Sequence, residues 1–299
     1  MITIRVPGTS GNLGPGFDTV GMAFQLYNYF TFALLPSGLQ IEISGEGKDE
    51  LSRKEDNIVY QAAMKVFKRV DFQPQGLKII QENHIPISRG LGSSASSIVG
   101  GMMGANLISG AHLSKEEILK MAVDMEGHPD NVTPALMGGI TASVRGIHDV
   151  DYIKILPPER LRAIAAIPDF HLSTNLARQV IPARVDRSDA VFNIGRTSLM
   201  IGALLEGDLS LFGKMMEDRL HQPYRMSLIP GGKKVFEGAQ NAGALSVAIS
   251  GAGPTIIAFF VDGGNQIALA MQEAFLSEGI PCRTIDLYPD AEGTVLIRN

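Results

Sequence analysis

The chain has a single cysteine, Cys282, in 299 residues, so no disulfide can form within it. That fits a reducing, cytoplasmic setting. Positive charge is also scarce. Twenty-six Lys and Arg stand against 31 Asp and Glu, the formal net charge is −5, and the basic residues form no run. This argues against nucleic acid as a main partner. Long lipid-compatible runs are missing as well. Residues 90–114 carry no formal charge apart from a possible one on His112, but Gly, Ser and Asn fill them. The segment is too polar for a bilayer and reads as a buried helix of a soluble protein, with no membrane partner. The opening residues, Met1 to Val6, lack a positive stretch followed by an apolar one, so no signal peptide is expected. Internal repeats, low-complexity tracts and long linkers are absent too.

Hydrophobic residues make up 45% and charged residues 19%. A folded chain of this length supports one large core or two closely joined lobes of about 150 residues. Its most informative stretch is Pro86-Ile87-Ser88-Arg89-Gly90-Leu91-Gly92-Ser93-Ser94-Ala95-Ser96-Ser97. Gly90 and Gly92 permit positive-φ turns with no Cβ in a ligand's way. The helical pattern that follows offers unpaired N–H groups and a positive dipole end, the ordinary makings of an anion site. Ser93 and Ser94 can cap that helix or touch a phosphate or its metal ion. An ordinary turn and cap is the plainer alternative. No lysine lies between Lys78 and Lys115, which excludes the P-loop, and the third glycine and later acidic residue of a dinucleotide fingerprint are missing. A phosphate here would be held by amides and hydroxyls.

Alternation and spacing predict strands at 2–6, 27–35, 39–44, 76–82, 139–145, 152–156, 162–167, 282–287 and 294–298. The segments 27–35 and 39–44 read as a pair. Residues 7–18 read as a glycine-rich loop. Helices are expected at 57–70, 94–109, 114–126, 172–180, 188–206, 208–220, 231–242 and 265–278. Ser114 and Glu117 form a capping box. Gly100, Gly101 and Gly104 inside one helix imply a very close neighbour, and Met102 and Met103 read as core. The apolar run 245–261 is broken by Gly251-Ala252-Gly253-Pro254. Strands in hairpins as well as between helices indicate an α+β fold.

Two further segments accompany the glycine-serine loop: Pro7-Gly8-Thr9-Ser10-Gly11-Asn12-Leu13-Gly14-Pro15-Gly16-Phe17-Asp18 and Ser250-Gly251-Ala252-Gly253-Pro254-Thr255. With this order and spacing, the chain resembles the GHMP kinases over nearly its whole length. The middle motif, P-x-x-x-G-L-G-S-S-A, is quite specific to that superfamily. Within it, four segments resemble the homoserine kinase family: Asn12 to Asp18 (N-L-G-x-G-F-D), His128 to Pro134 (H-x-D-N-V-x-P), Ser173 to Arg178 (S-T-x-x-A-R) and Gln222 to Arg225 (E/Q-P-Y-R). One departure is the shortness of the stretch between Glu126 and His128, since many members carry extra residues there.

The resemblance implies a two-lobed α+β fold, with a ribosomal S5-like ATP-binding lobe at 1–155 and a ferredoxin-like lobe at 156–299. It implies ATP-dependent phosphorylation of the hydroxyl of L-homoserine, a step of threonine biosynthesis, and a homodimer. ATP would lie along residues 86–96, with Asn57 bordering the adenine or simply capping its helix. Ser94 and Glu126 would hold Mg²⁺, a hard cation that prefers oxygen. The substrate is a zwitterion. Its carboxylate would meet Arg178 and Arg225, and its ammonium Asp18. Asn12 and Asn131 would bond the reacting hydroxyl. His128 would touch substrate or serve structure. Gly251 would lie in a second backbone nest or at a strand bulge. No catalytic base is evident; Asn131 would position the hydroxyl, whose proton leaves late, toward the phosphate. The competing readings are a kinase for mevalonate or a phosphorylated relative, and a nucleotide-binding homologue without catalysis.

Overall fold

Strand β1 (Ile2–Gly11) runs through Pro7 and into the glycine-rich segment, pairing antiparallel with β2 (Val20–Leu35) as far as Gly11 opposite Gly21. The expected loop at 7–18 therefore shrinks from its N-terminal side. Glycines that suggested turns serve close packing instead: a Cβ on Gly11 would lie 2.1 Å from Asp130 Oδ2. The computed structural model describes residues 1–298.

A seven-stranded sheet holds β3 (Gly38–Gly45), β4 (Gly76–Asn83) and the final strand β11 (Val295–Arg298) in the order β11-β1-β2-β4-β3. β5 (Ile140–Arg145) pairs with the start of β2, and β6 (Val150–Ile155) with β5. The expected pairing of 27–35 with 39–44 does not occur. β4 inserts between them, antiparallel to β2 and parallel to β3. The crossover through α1 (Ile58–Arg69) supplies the length a parallel connection needs.

Helices α1, α2 (Ser93–Ser109), α3 (Lys115–Glu126) and α4 (Pro129–Met137) cover one face of this sheet. Phe30 and Phe32 of β2 meet Val59, Val66, Ile98, Val99 and Met102 in a continuous core. The α2 glycines allow it: a Cβ on Gly100 or Gly104 would fall 2.4 Å from Phe30 or 2.1 Å from Phe32. Met102 is fully buried, and Met103 packs partly against the core. The Ser114–Glu117 capping box starts α3. Helix α4 falls where the spacing predicts no helix, and Pro134 stands inside it. Pro134 lacks the N–H that would bond the Asp130 carbonyl. That carbonyl instead packs on Gly21, where a Cβ would come within 1.6 Å.

A second, antiparallel sheet has the order β10 (Cys282–Leu287), β7 (Arg162–Pro168), β9 (Ile256–Phe260), β8 (Ser246–Ile249). Helices α9 (Gly232–Asn241) and α10 (Gly264–Leu276) cover its outer face through Val235, Ile267, Met271 and Phe275. Ala163, Ala165 and Phe259 on its inner face join Val20, Met22 and Phe24 of the first sheet in a shared core. Between β7 and α9 lie α5 (Thr174–Gln179), α6 (Arg187–Glu206), α7 (Leu209–Lys214) and α8 (Gln222–Arg225). The helix expected at 208–220 stops at Lys214. The Asp218 carboxylate accepts from the amides of Leu220, His221 and Gln222 (2.9, 2.9 and 2.6 Å), and this side-chain turn replaces helix.

Candidate active site

The three glycine-rich segments meet where the two sheets join, around a cleft of about 370 Å³. Gly90 (φ 79°) and Gly92 (φ 73°) adopt the left-handed conformations expected of them. Each also marks a contact between segments. A Cβ on Gly90 would lie 2.2 Å from the Ser250 carbonyl, and one on Gly92 2.0 Å from Thr9 Oγ1. Ser250 Oγ bonds Ser10 Oγ at 2.9 Å and donates to the Gly90 carbonyl at 2.7 Å.

Gly92 is the N-cap of α2 and has no side chain to satisfy the first amides; Ser93 and Ser94 do not cap them either. The first-turn N–H groups are left to face the cleft. Pro86, Ile87, Ser88, Arg89, Gly90, Gly92, Ser93 and Ser94 line it. Leu91, Ala95 and Ser96 do not. Leu91 and Ala95 are core residues, and the Ser96 amide already bonds the Gly92 carbonyl at 2.9 Å. Asn57 also lines the cleft, but its side chain is occupied by capping. Its Oδ1 accepts from Val59 N, Tyr60 N and Gln81 Nε2, and its Nδ2 donates to the Ser52 carbonyl.

At the C-terminal end of α3, Glu126 accepts a 2.9 Å hydrogen bond from Ser94 Oγ. Burial raises the Glu126 pKa, opposed by the Ser94 hydrogen bond. The pair is an all-oxygen donor set at the mouth of the uncapped helix, which fits a hard divalent cation bridging to phosphate.

Charge gathers at the opposite end. Asp18, in a positive-φ conformation, is gripped by Arg178 through two bonds of 2.6 and 3.1 Å. That hydrogen bonding raises the Arg178 pKa. Asn12 Oδ1 accepts from the Asp18 amide at 3.0 Å, and Asn12 Nδ2 donates to the Gly251 carbonyl at 2.8 Å. Asn12 thus ties the first glycine segment to the third. Arg225, 1% exposed, donates Nε to the Ala177 carbonyl (3.1 Å) and Nη1 to the Gly251 carbonyl (2.9 Å). Among the described residues it has no carboxylate partner at ion-pair distance. Burial, reinforced by the Arg178 charge, lowers its pKa to about 10.

His128 Nδ1 lies 2.5 Å from Asp130 Oδ1. Burial pulls the imidazolium pKa down, but the Asp130 hydrogen bond and charge outweigh it, and the net shift is upward. Asp18, His128 and Asp130 offer ligand atoms within 4.8 Å of one another. The hydrogen bonds just described already engage all three. Asn131 Oδ1 accepts from Thr9 Oγ1 at 2.9 Å, and its Nδ2 has no hydrogen-bond partner among the described residues.

Sequence reasoning passed over four residues of this site. Thr9 sits in a segment read for its glycines. The Phe17 ring lies 5.3 and 5.8 Å from the guanidinium carbons of Arg225 and Arg178. His221 stacks on Phe17 and bonds the Gly14 carbonyl through Nε2 at 2.8 Å, leaving Nδ1 to accept from Arg225 Nη1 at 3.2 Å. Asp218 fixes the turn that carries His221. Two had a signal: Phe17 lies within the Asn12-to-Asp18 segment, and His221 beside the Gln222-Pro223-Tyr224-Arg225 segment.

Comparison with known proteins places the chain in a family. The family model described as GHMP kinases N terminal domain matches residues 57–139, and that described as GHMP kinases C terminal matches 200–276. A homoserine kinase of Moorella thermoacetica is 46% identical over 99% of this chain and 100% of its own. One of Halothermothrix orenii is 46% identical over 99% of this chain and 96% of its own. The crystal structure of homoserine kinase from Cytophaga hutchinsonii superposes with a TM-score of 0.89 at 30% identity, covering 99% of this chain and 97% of that one.

Proposed function

The chain belongs to the homoserine kinases of the GHMP kinase superfamily, and from that premise we propose that it transfers the γ-phosphoryl group of ATP to the hydroxyl of L-homoserine. The product is O-phospho-L-homoserine, an intermediate of threonine biosynthesis. The observation that carries the reading is the charge layout of one cleft. An uncapped helix N-terminus stands at one end, and one carboxylate with two guanidinium groups at the other.

In this reading residues 1–155 form the nucleotide lobe, with β11 added to their sheet, and the residues from 156 up to β11 form the second lobe. The amides of the cleft-lining residues between Ser88 and Ser94, the start of α2 among them, hold the phosphates, and the helix dipole supports them. Ser94 and Glu126 would hold Mg²⁺, which would offset charge on the phosphoryl oxygens. Homoserine exchanges into the Asp18–Arg178 pair: its ammonium meets Asp18, and its carboxylate meets Arg178 and the Arg225 nitrogen Nη2, which has no protein partner among the described residues. Asn131 Nδ2 orients the hydroxyl. Asp130 is held by His128 rather than poised as a free base. The hydroxyl proton then leaves late, toward the transferring group, as a loose transition state allows. The protein acts as a cytoplasmic homodimer.

A coupled ADP-release assay with homoserine and mevalonate side by side tests this. Mevalonate carries a carboxylate and no ammonium, so it gives Asp18 nothing to bind. Turnover with homoserine alone is expected. Preferential turnover of mevalonate, or ATP binding without homoserine-dependent turnover, would overturn the assignment.

A further inference from the structure

Helix α6 contains two glycines that its own protomer does not explain. A Cβ built on Gly195 or Gly202 meets nothing within 4 Å. In α2, by contrast, a Cβ on Gly100, Gly101 or Gly104 would strike Phe30, the Val59 carbonyl or Phe32. Glycine inside a helix is destabilising relative to alanine. Close packing accounts for it in α2, and nothing in the protomer accounts for it in α6.

Both glycines lie on the solvent face of α6, together with Val191, Ile194, Ser198, Leu199 and Leu205. Val191, Ile194 and Leu205 are each more than 60% exposed, at 61%, 65% and 63%. Between Arg187 and Glu206 this face carries no charge. The charged residues in that interval turn inward instead: Asp189 pairs with Arg219 at 3.3 Å and Arg196 with Glu217 at 2.7 Å.

Two pairs of positions on this face are symmetrical in sequence about Ser198. Val191 and Leu205 stand equally far from it, as do Ile194 and Gly202. A two-fold interface requires this kind of self-complementarity. Two α6 helices crossing antiparallel at Ser198 set Ile194 of each copy over Gly202 of the other, large against small. The end charges agree. Arg187 opens the helix and Glu206 closes it, each set against the helix dipole. Neither forms an ion pair among the described residues. Arg187 and Glu206 lie 11 and 8 residues from Ser198, so the antiparallel arrangement brings Arg187 of each copy to within about one helical turn of Glu206 of the other; a parallel one would bring like charges together.

We propose that the solvent face of α6 is the surface through which two copies of this chain associate, helix against helix, about a two-fold axis at Ser198. The inference rests on the homodimer reading above and gives it a surface. It also places the contact behind the substrate-binding segment, because Asn193 Nδ2 and Thr197 Oγ1 of the same helix both donate to the Pro15 carbonyl at 3.0 Å.

Light scattering over a dilution series measures the dissociation constant. Wild type is expected at twice the 32.1 kDa of the chain. Arg187→Glu and Glu206→Arg should each raise the dimer dissociation constant by about 3- to 30-fold, two symmetry-related pairs being lost. The double variant should restore it. Ile194→Glu should yield monomer, with circular dichroism confirming the fold. The end-charge variants are exposed and keep the test open if Ile194→Glu misfolds. A monomeric wild type would overturn both the homodimer reading and this surface. A dimer indifferent to all four variants would overturn the surface alone. Weakening by each single charge change without recovery in the double variant would overturn the antiparallel arrangement.

Discussion

Arg178 holds Asp18 through both of its terminal nitrogens, at 3.1 and 2.6 Å, although the two side chains are assigned to opposite charges of the substrate. Both are about one-third exposed, so water competes for the pair and a zwitterion can replace it charge for charge. The arrangement keeps each group oriented before substrate arrives.

Asp18→Asn removes the proposed ammonium partner and frees Arg178. Losing a charge-assisted contact in a closed site costs about 2–4 kcal/mol, so kcat/KM for homoserine should fall about 30- to 1000-fold. The KM for ATP should barely move. The sharper readout is discrimination against 4-hydroxybutyrate, which lacks the ammonium. Wild type should prefer homoserine strongly and the variant weakly. An unchanged preference would remove Asp18 from the ammonium site.

Arg225 is buried and already bonds two carbonyls, so its charge is held in place without a carboxylate at ion-pair distance among the described residues. Arg225→Leu should raise the KM for homoserine far more than that for ATP, with a loss of about 2–5 kcal/mol in kcat/KM. Arg225→Lys should recover little, because an ammonium cannot reach the Ala177 and Gly251 carbonyls and the substrate from one rigid plane. Steady-state kinetics with either substrate varied decide it.

Asp130 tests the route of the proton. Its carboxylate is 1% exposed and bonded to His128. If it only orients that imidazole, Asp130→Asn should lower kcat by less than about 10³-fold with the fold intact. A greater fall would make Asp130 the base.

Much of this site could be read from the chain because glycine does several jobs at once. Gly90 and Gly92 are needed for their φ values and for the approach of Ser250 and Thr9, so the motif survives as a motif. The Ser114–Glu117 box and the α2 glycines were legible for similarly local reasons. Arg178 and Arg225 were visible only through family resemblance, since their positions depend on α5 and α8 folding back onto the first glycine segment. Most of what stayed hidden was non-local. β4 separates β2 from β3 through a crossover that no nearby residue announces. Helix α4 holds Pro134, whose cost is met by Gly21, far away in the chain. Asp218 ends a helical pattern with a carboxylate whose partners lie just beyond it.

His221 gives the fold a pH dependence whose sign can be worked out. Burial lowers its pKa; the Asp218 charge opposes that, Arg225 adds to it, and the Gly14 carbonyl and Asp18 oppose it weakly. In the folded protein the ring is neutral, with Nε2–H donating to Gly14 and Nδ1 accepting from Arg225. In the unfolded chain it takes up a proton near its ordinary value of about 6.5. Stability from this group is therefore complete above that value and is lost as the pH falls below it, by up to about 1.4 kcal/mol per pH unit. His128, whose pKa is raised, works in the other window: its contribution is complete below the ordinary value and declines as the pH rises through the folded one. Urea unfolding at pH 7.5 and 5.5 separates the two. Wild type should lose more stability over that interval than His221→Gln, whose amide N–H can still reach the Gly14 carbonyl but binds no proton. Equal losses in the two proteins would mean that His221 takes up its proton as readily in the folded state as in the unfolded one.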